Sequence, residues 1–183
     1  MHDGAEMSQE VNTGPDGAAT KPLTVLQVLP SLVTGGVERG AVDIAAALVA
    51  EGERGIVVSS GGPMVHDLTR AGAEQITLPV DSKNPFVIRK NIDRLAQLIR
   101  DNNVDIVHAR SRAPAWSAYY AARKTGARFI TTFHGTYNLG LPFKRLYNSI
   151  MTRGDRVIAI SEFIAQHILD TYPLDPARIR VIH

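Results

Sequence analysis

The side chains with the clearest capacity for chemistry in this sequence are two histidines, His108 and His134. His134 follows Thr131-Thr132-Phe133 and precedes Gly135, so we expect its ring at the mouth of a cleft. An imidazole with an ordinary pKa of about 6.5 exchanges protons near neutrality or donates a hydrogen bond to a substrate oxygen. A histidine at a strand end also bonds neighbouring backbone carbonyls, and this structural role is the alternative for His134. For His108 we predict a structural role.

Two arginines close to His108 in the sequence have the right chemistry to hold an anion. Arg110 and Arg112 occur in the run His-Ala-Arg-Ser-Arg. A guanidinium group binds a phosphate or a carboxylate through paired hydrogen bonds. The alternative is a solvated loop, which we favour for Arg112.

A glycine pair, Gly35-Gly36, lies between an apolar run at 25–30 and a helical pattern. Backbone N–H groups at a helix N-terminus attract anions, and glycine has no Cβ to keep a ligand away. A tight strand–helix connection without a ligand fits the same residues. In the first turn of this helix, the Glu38 carboxylate is favoured by about 0.3–1 kcal/mol, which suffices to explain it. Ser161 is predicted to cap a later helix, and its hydroxyl can also face the cleft.

The hydrophobic pattern predicts the scaffold that positions these residues. Short apolar runs alternate with helical patterns, and the connections between them are short. This alternation predicts an α/β fold: a doubly wound, mostly parallel Rossmann-like sheet of six to seven strands with helices on both faces. Ligands of such sheets bind at the carboxyl ends of the strands, where the residues above fall. Strands are predicted at 24–29, 56–59, 75–78, 104–108, 129–133, 156–160 and 179–182.

The helices between these strands are predicted from apolar residues at helical spacing and from their stop signals. The first closes before Gly52, and we expect its apolar face in the core. That face consists of Val37, Ala41, Ile44, Ala45 and Leu48. The third begins at Pro85 with Asn84 as its cap. The remaining helices are predicted at 65–71, 113–125, 143–151 and 162–169.

Composition restricts the class of protein. The 183 residues suit one domain at 22–183 after a disordered tail at 1–21. A net charge of +2 is too small to indicate a nucleic-acid partner, and the absence of cysteine excludes disulfides and thiolate chemistry. The sequence has neither a signal-peptide core nor an apolar run of bilayer length, so we expect a cytoplasmic protein.

Several well-known motifs are absent from the sequence. The glycines from Gly35 to Gly40 lack the spacing of a dinucleotide site, and there is no phosphate-binding P-loop. No G-x-S-x-G nucleophile elbow occurs. No cluster of His, Asp and Glu has the spacing of metal ligands.

Five motifs occur in an order that is similar to one enzyme family. They are the run 25–30 with Gly35-Gly36-Val37-Glu38-Arg39, then Asp105-Ile-Val-His108, Thr132-Phe-His134-Gly135, Val157-Ile-Ala-Ile-Ser161 and Ile179-Arg-Val-Ile-His183. Together they resemble the N-terminal half of group 1 (GT4-type) glycosyltransferases of the GT-B fold. The resemblance covers nearly all of the chain from Leu23 onward.

The resemblance implies two Rossmann-like domains that face each other across a cleft. The N-terminal domain would receive a glycan or glycolipid acceptor, and the C-terminal domain would hold most of a UDP- or GDP-linked nucleotide sugar. Transfer would retain the anomeric configuration without an essential metal or other cofactor. His134 would be the active-site histidine that orients the transferring sugar and assists proton movement. The residues assigned to substrate binding are Gly35, Gly36, Glu38, Arg110, Gly135, Thr136 and Ser161.

Acceptors in bacterial relatives are commonly lipopolysaccharide, capsule or glycolipid, which would place the enzyme at the inner membrane surface. One segment of the chain is a candidate for contact with lipid, with a solvated helix face as the alternative. This segment contains Lys144 and Arg145 beside Leu141, Phe143, Leu146 and Tyr147.

The family's second domain begins with Asn-Gly-(apolar)-Asp and carries two glutamates, and no such segment occurs in this sequence. We therefore expect the chain to be part of a longer enzyme and to be inactive by itself. Two alternatives to the glycosyltransferase interpretation remain open. One is a flavodoxin-like module that binds a nucleotide or phosphate without catalysis, and the other is an interaction domain.

Overall fold

The computed structural model describes residues 21–138, 140 and 142–183. The predicted tail, except for Lys21, and the lipid-contact candidate Leu141 lie outside the described residues. The described residues form seven strands: β1 (Thr24–Val28), β2 (Arg54–Ser59), β3 (Glu74–Thr77), β4 (Ile106–Ala109), β5 (Arg128–Phe133), β6 (Arg156–Ala159) and β7 (Ile179–Val181). Six α-helices connect them: α1 (Gly36–Ala50), α2 (Val65–Arg70), α3 (Pro85–Asp101), α4 (Arg112–Thr125), α5 (Pro142–Asn148) and α6 (Glu162–Thr171). Short 3₁₀ turns follow α5 (Ser149–Thr152) and precede β7 (Pro176–Arg178).

The seven strands form one parallel sheet in the order β3-β2-β1-β4-β5-β6-β7. The chain leaves β1 towards one edge of the sheet and returns to place β4 on its other side, which makes the β1–β4 boundary a topological switch point. The predicted doubly wound α/β fold is thereby confirmed. In the register across this boundary, Gln27 of β1 lies opposite His108 of β4.

Successive strand residues point to opposite faces of the sheet, which explains why the core has two parts. Leu26 and Val28 pack with the larger apolar cluster, which contains α3, α4 and α6. Leu29 and Val57 pack with the smaller cluster, which contains α1 and α2. Each fully buried leucine or valine contributes about 1.5–3 kcal/mol by leaving water. Helices therefore pack on both faces of the sheet. On the face that carries α1 and α2, however, these two helices cover only strands β1, β2 and β3, and the half formed by β4 to β7 stays open in the described part of the chain.

This incomplete cover corrects one sequence prediction. Ala41 and Ala45 of α1 are buried as expected, but Ile44 is 39% exposed and Val42 takes its place in the core. The reason is that α1 lies over one half of its sheet face. Its other flank, which carries Ile44, overhangs the open half.

Two element boundaries also differ from the sequence predictions. Strand β4 begins at Ile106 because Asn103, with φ 48°, turns the chain, so that Val104 still belongs to the connection. The predicted helix at 143–151 instead ends at Asn148 and continues as a 3₁₀ turn. There the hydroxyls of Ser149 and Thr152 donate to backbone carbonyls three residues earlier, which competes with regular helical bonding.

The predicted helix caps at Asn84 and Ser161 are present. The Asn84 side chain accepts a hydrogen bond from the Phe86 amide at 2.9 Å, and the Ser161 hydroxyl accepts one from the Ile164 amide at 3.3 Å. None of the described helices has both the length and the apolar character needed to cross a lipid bilayer.

Candidate functional site

A cleft of about 680 Å³ lies at the carboxyl ends of the strands, between α1 and the open half of the sheet face. Its walls combine helix residues from α1, polar residues from β4 and β5, and isoleucines from β6 and the end of the chain. These lining residues are Gly36, Val37, Gly40, Asp43, Ile44, His108, Arg110, Thr132, His134, Ile158, Ile160, Ile182 and His183.

His134 lies directly after β5, at the mouth of this cleft as predicted. Its Nε2 atom is buried and has no hydrogen-bond partner among the described residues, so the alternative bond to a backbone carbonyl is not formed by them. Burial and the positive charge of Arg110 lower the pKa of His134 to about 4. The imidazole is therefore neutral at pH 7, and it can accept a proton or donate a single hydrogen bond to a substrate.

His108 lies deeper, on the floor of the cleft. Only 3% of the residue is exposed, and its Nε2 atom is 2.7 Å from the Thr132 hydroxyl oxygen. Burial, with smaller contributions from the charges of Arg110 and His134, lowers the pKa of His108 to about 3. A neutral, hydrogen-bonded histidine between two strands fits the structural role predicted for it.

Arg110 is a buried cation rather than part of a solvated loop. The residue is 5% exposed, and its guanidinium lies so close to Gly40 of α1 that a Cβ atom there would be 2.7 Å from Nη2. Its Nη1 donates a long hydrogen bond of 3.4 Å to the side-chain oxygen of Gln27, which in turn donates to the Ala41 carbonyl. Burial lowers the pKa of Arg110 to about 10, partly offset by Glu38, so the group stays charged at pH 7.

This cation is under-satisfied within the described part of the chain. Its Nε atom is buried without a partner, and no described carboxylate forms an ion pair with it. A buried charge without a paired opposite charge costs several kcal/mol. Such a group beside a cleft raises the local affinity for an anion, because an anionic ligand supplies the missing partner.

The glycine pair opens the cleft at the start of α1. A Cβ atom on Gly36 would meet no described atom within 4 Å, so within the described structure this side of the first helical turn is open. A Cβ atom on Gly35 would collide with the Glu38 carboxylate, which folds back over the start of the helix. The backbone at Gly36 therefore borders the cleft without a side chain over it, and the Glu38 carboxylate lies beside Gly35.

The remaining predicted site residues lie around this centre. Gly135 and Thr136 follow His134 in the loop after β5, and neither lines the cleft. Ser161 is engaged as the cap of α6, although its neighbour Ile160 is a lining residue. Arg112, for which a solvated loop was favoured, instead begins α4. Its Nη1 donates to Asn148 at 3.0 Å, and its guanidinium lies 4.3 Å from the centroid of the Tyr137 ring.

Sequence reasoning missed the apolar wall of the cleft. Ile158 alternates with core residues along β6, and Ile182 continues the same alternation directly after β7, so the period-two pattern was the available signal. Whether a helix covers the sheet face that carries these isoleucines depends on segments elsewhere in the chain. The pattern within one strand therefore does not reveal that this face borders a cleft.

Comparison with known proteins agrees with this architecture. The chain matches the sequence profile of Glycosyltransferase Family 4 over residues 34–183. A glycosyltransferase from Rickettsia africae ESF-5 is 48% identical and superposes with a TM-score of 0.79, with 90% of this chain and 43% of that chain covered. No match was found among curated protein sequences.

More distant structures share the fold. The Anabaena protein HepE, in complex with UDP and glucose, has a TM-score of 0.68 at 15% identity, covering 88% of this chain and 44% of its own. The lipopolysaccharide outer core galactosyltransferase WaaB has a TM-score of 0.62 at 15% identity, covering 87% and 45%. The chain thus spans less than half the length of each of these proteins. Since the family profile covers 34–183, which includes six of the seven strands, α1 and the cleft histidines, the chain belongs to glycosyltransferase family 4.

Proposed function

We propose that the chain is the acceptor-side domain of a retaining glycosyltransferase that moves a hexose from a UDP- or GDP-linked sugar to a glycan or glycolipid. The observation that carries this proposal is the neutral imidazole of His134, whose Nε2 has no partner within the described part of the chain, at the mouth of a cleft that also holds the open first turn of α1. A sugar hydroxyl needs such a hydrogen-bonding group, and a diphosphate needs such a helix start.

The diphosphate of the donor would approach the backbone at Gly36, where no side chain of residues 21–138, 140 or 142–183 comes within 4 Å of the Cβ position. The helix N-terminus favours an anion there through its free amides and its dipole. The buried charge of Arg110 adds a positive field from below. Donor binding would therefore place the reacting sugar between the start of α1 and His134.

His134 would orient the transferring sugar and assist proton movement at the reacting hydroxyls. Because its pKa is lowered to about 4, the ring is neutral at working pH, with one nitrogen that donates and one that accepts a hydrogen bond toward the reacting hydroxyls. Gly135, Thr136 and Ser161 stay predicted contacts of the sugar or the acceptor, and they lie at the same edge of the sheet.

A second domain would complete the donor site. In support, the chain spans only 43–45% of the solved chains described above, and those chains include a complex with UDP and glucose. We expect the 183-residue chain to be inactive alone, and transfer by the completed protein to proceed without an added metal ion. A lipid-linked acceptor, as in lipopolysaccharide synthesis, would place the reaction on the cytoplasmic side of the inner membrane.

The test is to join residues 21–183 to the C-terminal half of the Rickettsia africae glycosyltransferase, which is 48% identical over the matched region. Release of UDP or GDP is then measured with a panel of nucleotide sugars and lipid extracts as acceptors. We expect His134→Ala to lower turnover by about 10²–10⁴-fold, the usual range for a general acid or base. The matched control is His66→Ala, an exposed position on α2 away from the cleft.

Turnover of His134→Ala equal to that of the parent would remove His134 from the mechanism. Tight binding of UDP or GDP by the joined protein, without transfer to any acceptor, would instead favour a nucleotide-binding module.

A further inference from the structure

Charge is unevenly distributed along this chain. Residues 106–154 contain eight lysines and arginines and no aspartate or glutamate, although the whole chain has twenty basic and eighteen acidic residues. The rest of the chain therefore carries an acidic excess. A nearly neutral protein with one strongly basic segment has a directed surface field, which the net charge of +2 conceals.

The helices within this segment bring several of its basic residues to the surface. Arg110 is buried in the cleft, Arg112 is bound to Asn148, and Lys124 pairs with Asp93 of α3 at 2.7 Å. The remaining five form no ion pair with a described carboxylate. They are Arg123, Arg128, Lys144, Arg145 and Arg153, all of which are exposed.

An aromatic and apolar strip crosses the same surface from α5 to α4. Phe143 is 83% exposed and Leu146 is 61% exposed, and both lie on the side of α5 that carries Tyr147. The Tyr147 ring stacks on Trp116 of α4 at 6.4 Å between centroids, and Trp116 stacks on Tyr120 at 6.4 Å. We call these five residues, Phe143, Leu146, Tyr147, Trp116 and Tyr120, the aromatic strip.

We propose that the aromatic strip and the basic residues around it bind the surface of an anionic lipid bilayer. Basic side chains attract anionic headgroups, while tryptophan and tyrosine favour the level of the headgroups and phenylalanine and leucine the acyl chains just below. A polyanion without an apolar phase would pair with the arginines but leave Phe143 and Leu146 in water. The combination of charge and exposed apolar side chains therefore fits a bilayer better than a nucleic acid.

The position of this surface relative to the cleft is consistent with a lipid-linked substrate. The loop after β5 begins at His134 and leads directly into α5, so only a short stretch of chain separates the cleft mouth from the strip. Helix α4 packs in the larger apolar cluster, on the sheet side opposite α1, and α5 lies against α4 through the Tyr147–Trp116 stack, so docking through this surface leaves the cleft open. Lipid binding itself needs neither donor nor acceptor, so the inference stands apart from the proposed transfer reaction.

The chain offers a direct spectroscopic readout, because Trp116 is its sole tryptophan and lies in the strip. The 183-residue chain is titrated with vesicles of phosphatidylcholine alone and with vesicles of equal parts phosphatidylcholine and phosphatidylglycerol. Tryptophan emission is followed, and vesicle flotation measures the bound fraction. We expect binding at least about tenfold tighter to the anionic vesicles, a blue shift of emission on binding, and weakening at high salt.

Two variants test the two halves of the surface, and each has a matched control. Lys144→Glu/Arg145→Glu is expected to weaken binding to anionic vesicles by at least about tenfold, and Phe143→Ser by several-fold. The controls are Lys83→Glu/Lys90→Glu, which makes the same change of charge outside the segment, and Phe86→Ser, since Phe86 is also 83% exposed. Circular dichroism verifies that all variants are folded.

The inference is overturned if the chain does not bind anionic vesicles or binds both vesicle types equally. It is also overturned if the control variants lose as much affinity as the α5 variants. Retention on RNA or on a protein partner without vesicle binding would assign the surface to that other partner.

Discussion

Acidification is expected to destabilise this domain through His108. Burial lowers the pKa of His108 from 6.5 to about 3, with smaller contributions from the charges of Arg110 and His134. The unfolded chain takes up a proton at this histidine below pH 6.5, whereas the folded protein does so only near pH 3. The free energy of unfolding is therefore highest above pH 6.5 and falls as the pH drops through this window.

The expected size of the effect follows from these two pKa values. Between pH 7 and pH 5, proton linkage at His108 lowers the free energy of unfolding by about 2 kcal/mol. His134, with its pKa lowered to about 4, acts in the same direction, and because it is partly exposed we assign it about 1 kcal/mol. A loss of about 3 kcal/mol is large against the roughly 5–15 kcal/mol of a typical domain.

Urea denaturation at pH 7 and at pH 5 measures this loss. In His108→Gln the amide can still bond the Thr132 hydroxyl, but the titrating group is gone, so the loss should shrink to about 1 kcal/mol. The matched control His66→Gln, at an exposed position on α2, should keep the wild-type loss. If His108→Gln loses as much stability as the wild type, or if the wild type is equally stable at both pH values, the argument from burial is refuted.

Three further predictions test the cleft and its supports. Gly40→Ala should displace the Arg110 guanidinium, because the new Cβ would lie 2.7 Å from Nη2. Since the charge of Arg110 lowers the pKa of His134, this displacement should raise that pKa in an NMR titration, whereas Gly36→Ala, at an open position, should leave it unchanged. Asp155→Ala should cost about 1–3 kcal/mol in urea denaturation, since its carboxylate accepts a 2.8 Å bond from the Phe129 amide near the start of β5, and Asp155→Asn should recover most of this. Ser161→Ala should cost about 1 kcal/mol through loss of the α6 cap, with Ser161→Thr as the variant that retains it; equal stability of the two would contradict the capping role.

Local pattern was sufficient to predict most of the scaffold. Apolar runs such as 129–133 and the cap at Asn84 depend on residues a few positions apart, which is the range over which periodicity and capping act. Predictions failed where a residue's surroundings come from distant parts of the chain. Ile44 was expected in the core and Arg112 in solvent, because nothing local shows how much of the sheet α1 covers or that Asn148 lies beside α4.

The same distinction applies to the site. From the sequence alone came the order of strands and helices, the edge of the sheet that carries the polar residues, and the motifs shared with glycosyltransferase family 4. The tertiary structure alone decided that Arg110 is buried against α1 and bonded to Gln27, 83 positions earlier in the chain. It also decided that His134 is neutral, that its Nε2 finds no partner among the residues described, and that Tyr147 stacks on Trp116. Burial and electrostatic field depend on everything that surrounds a group in space, and in a doubly wound sheet the strand order brings those surroundings from far along the chain.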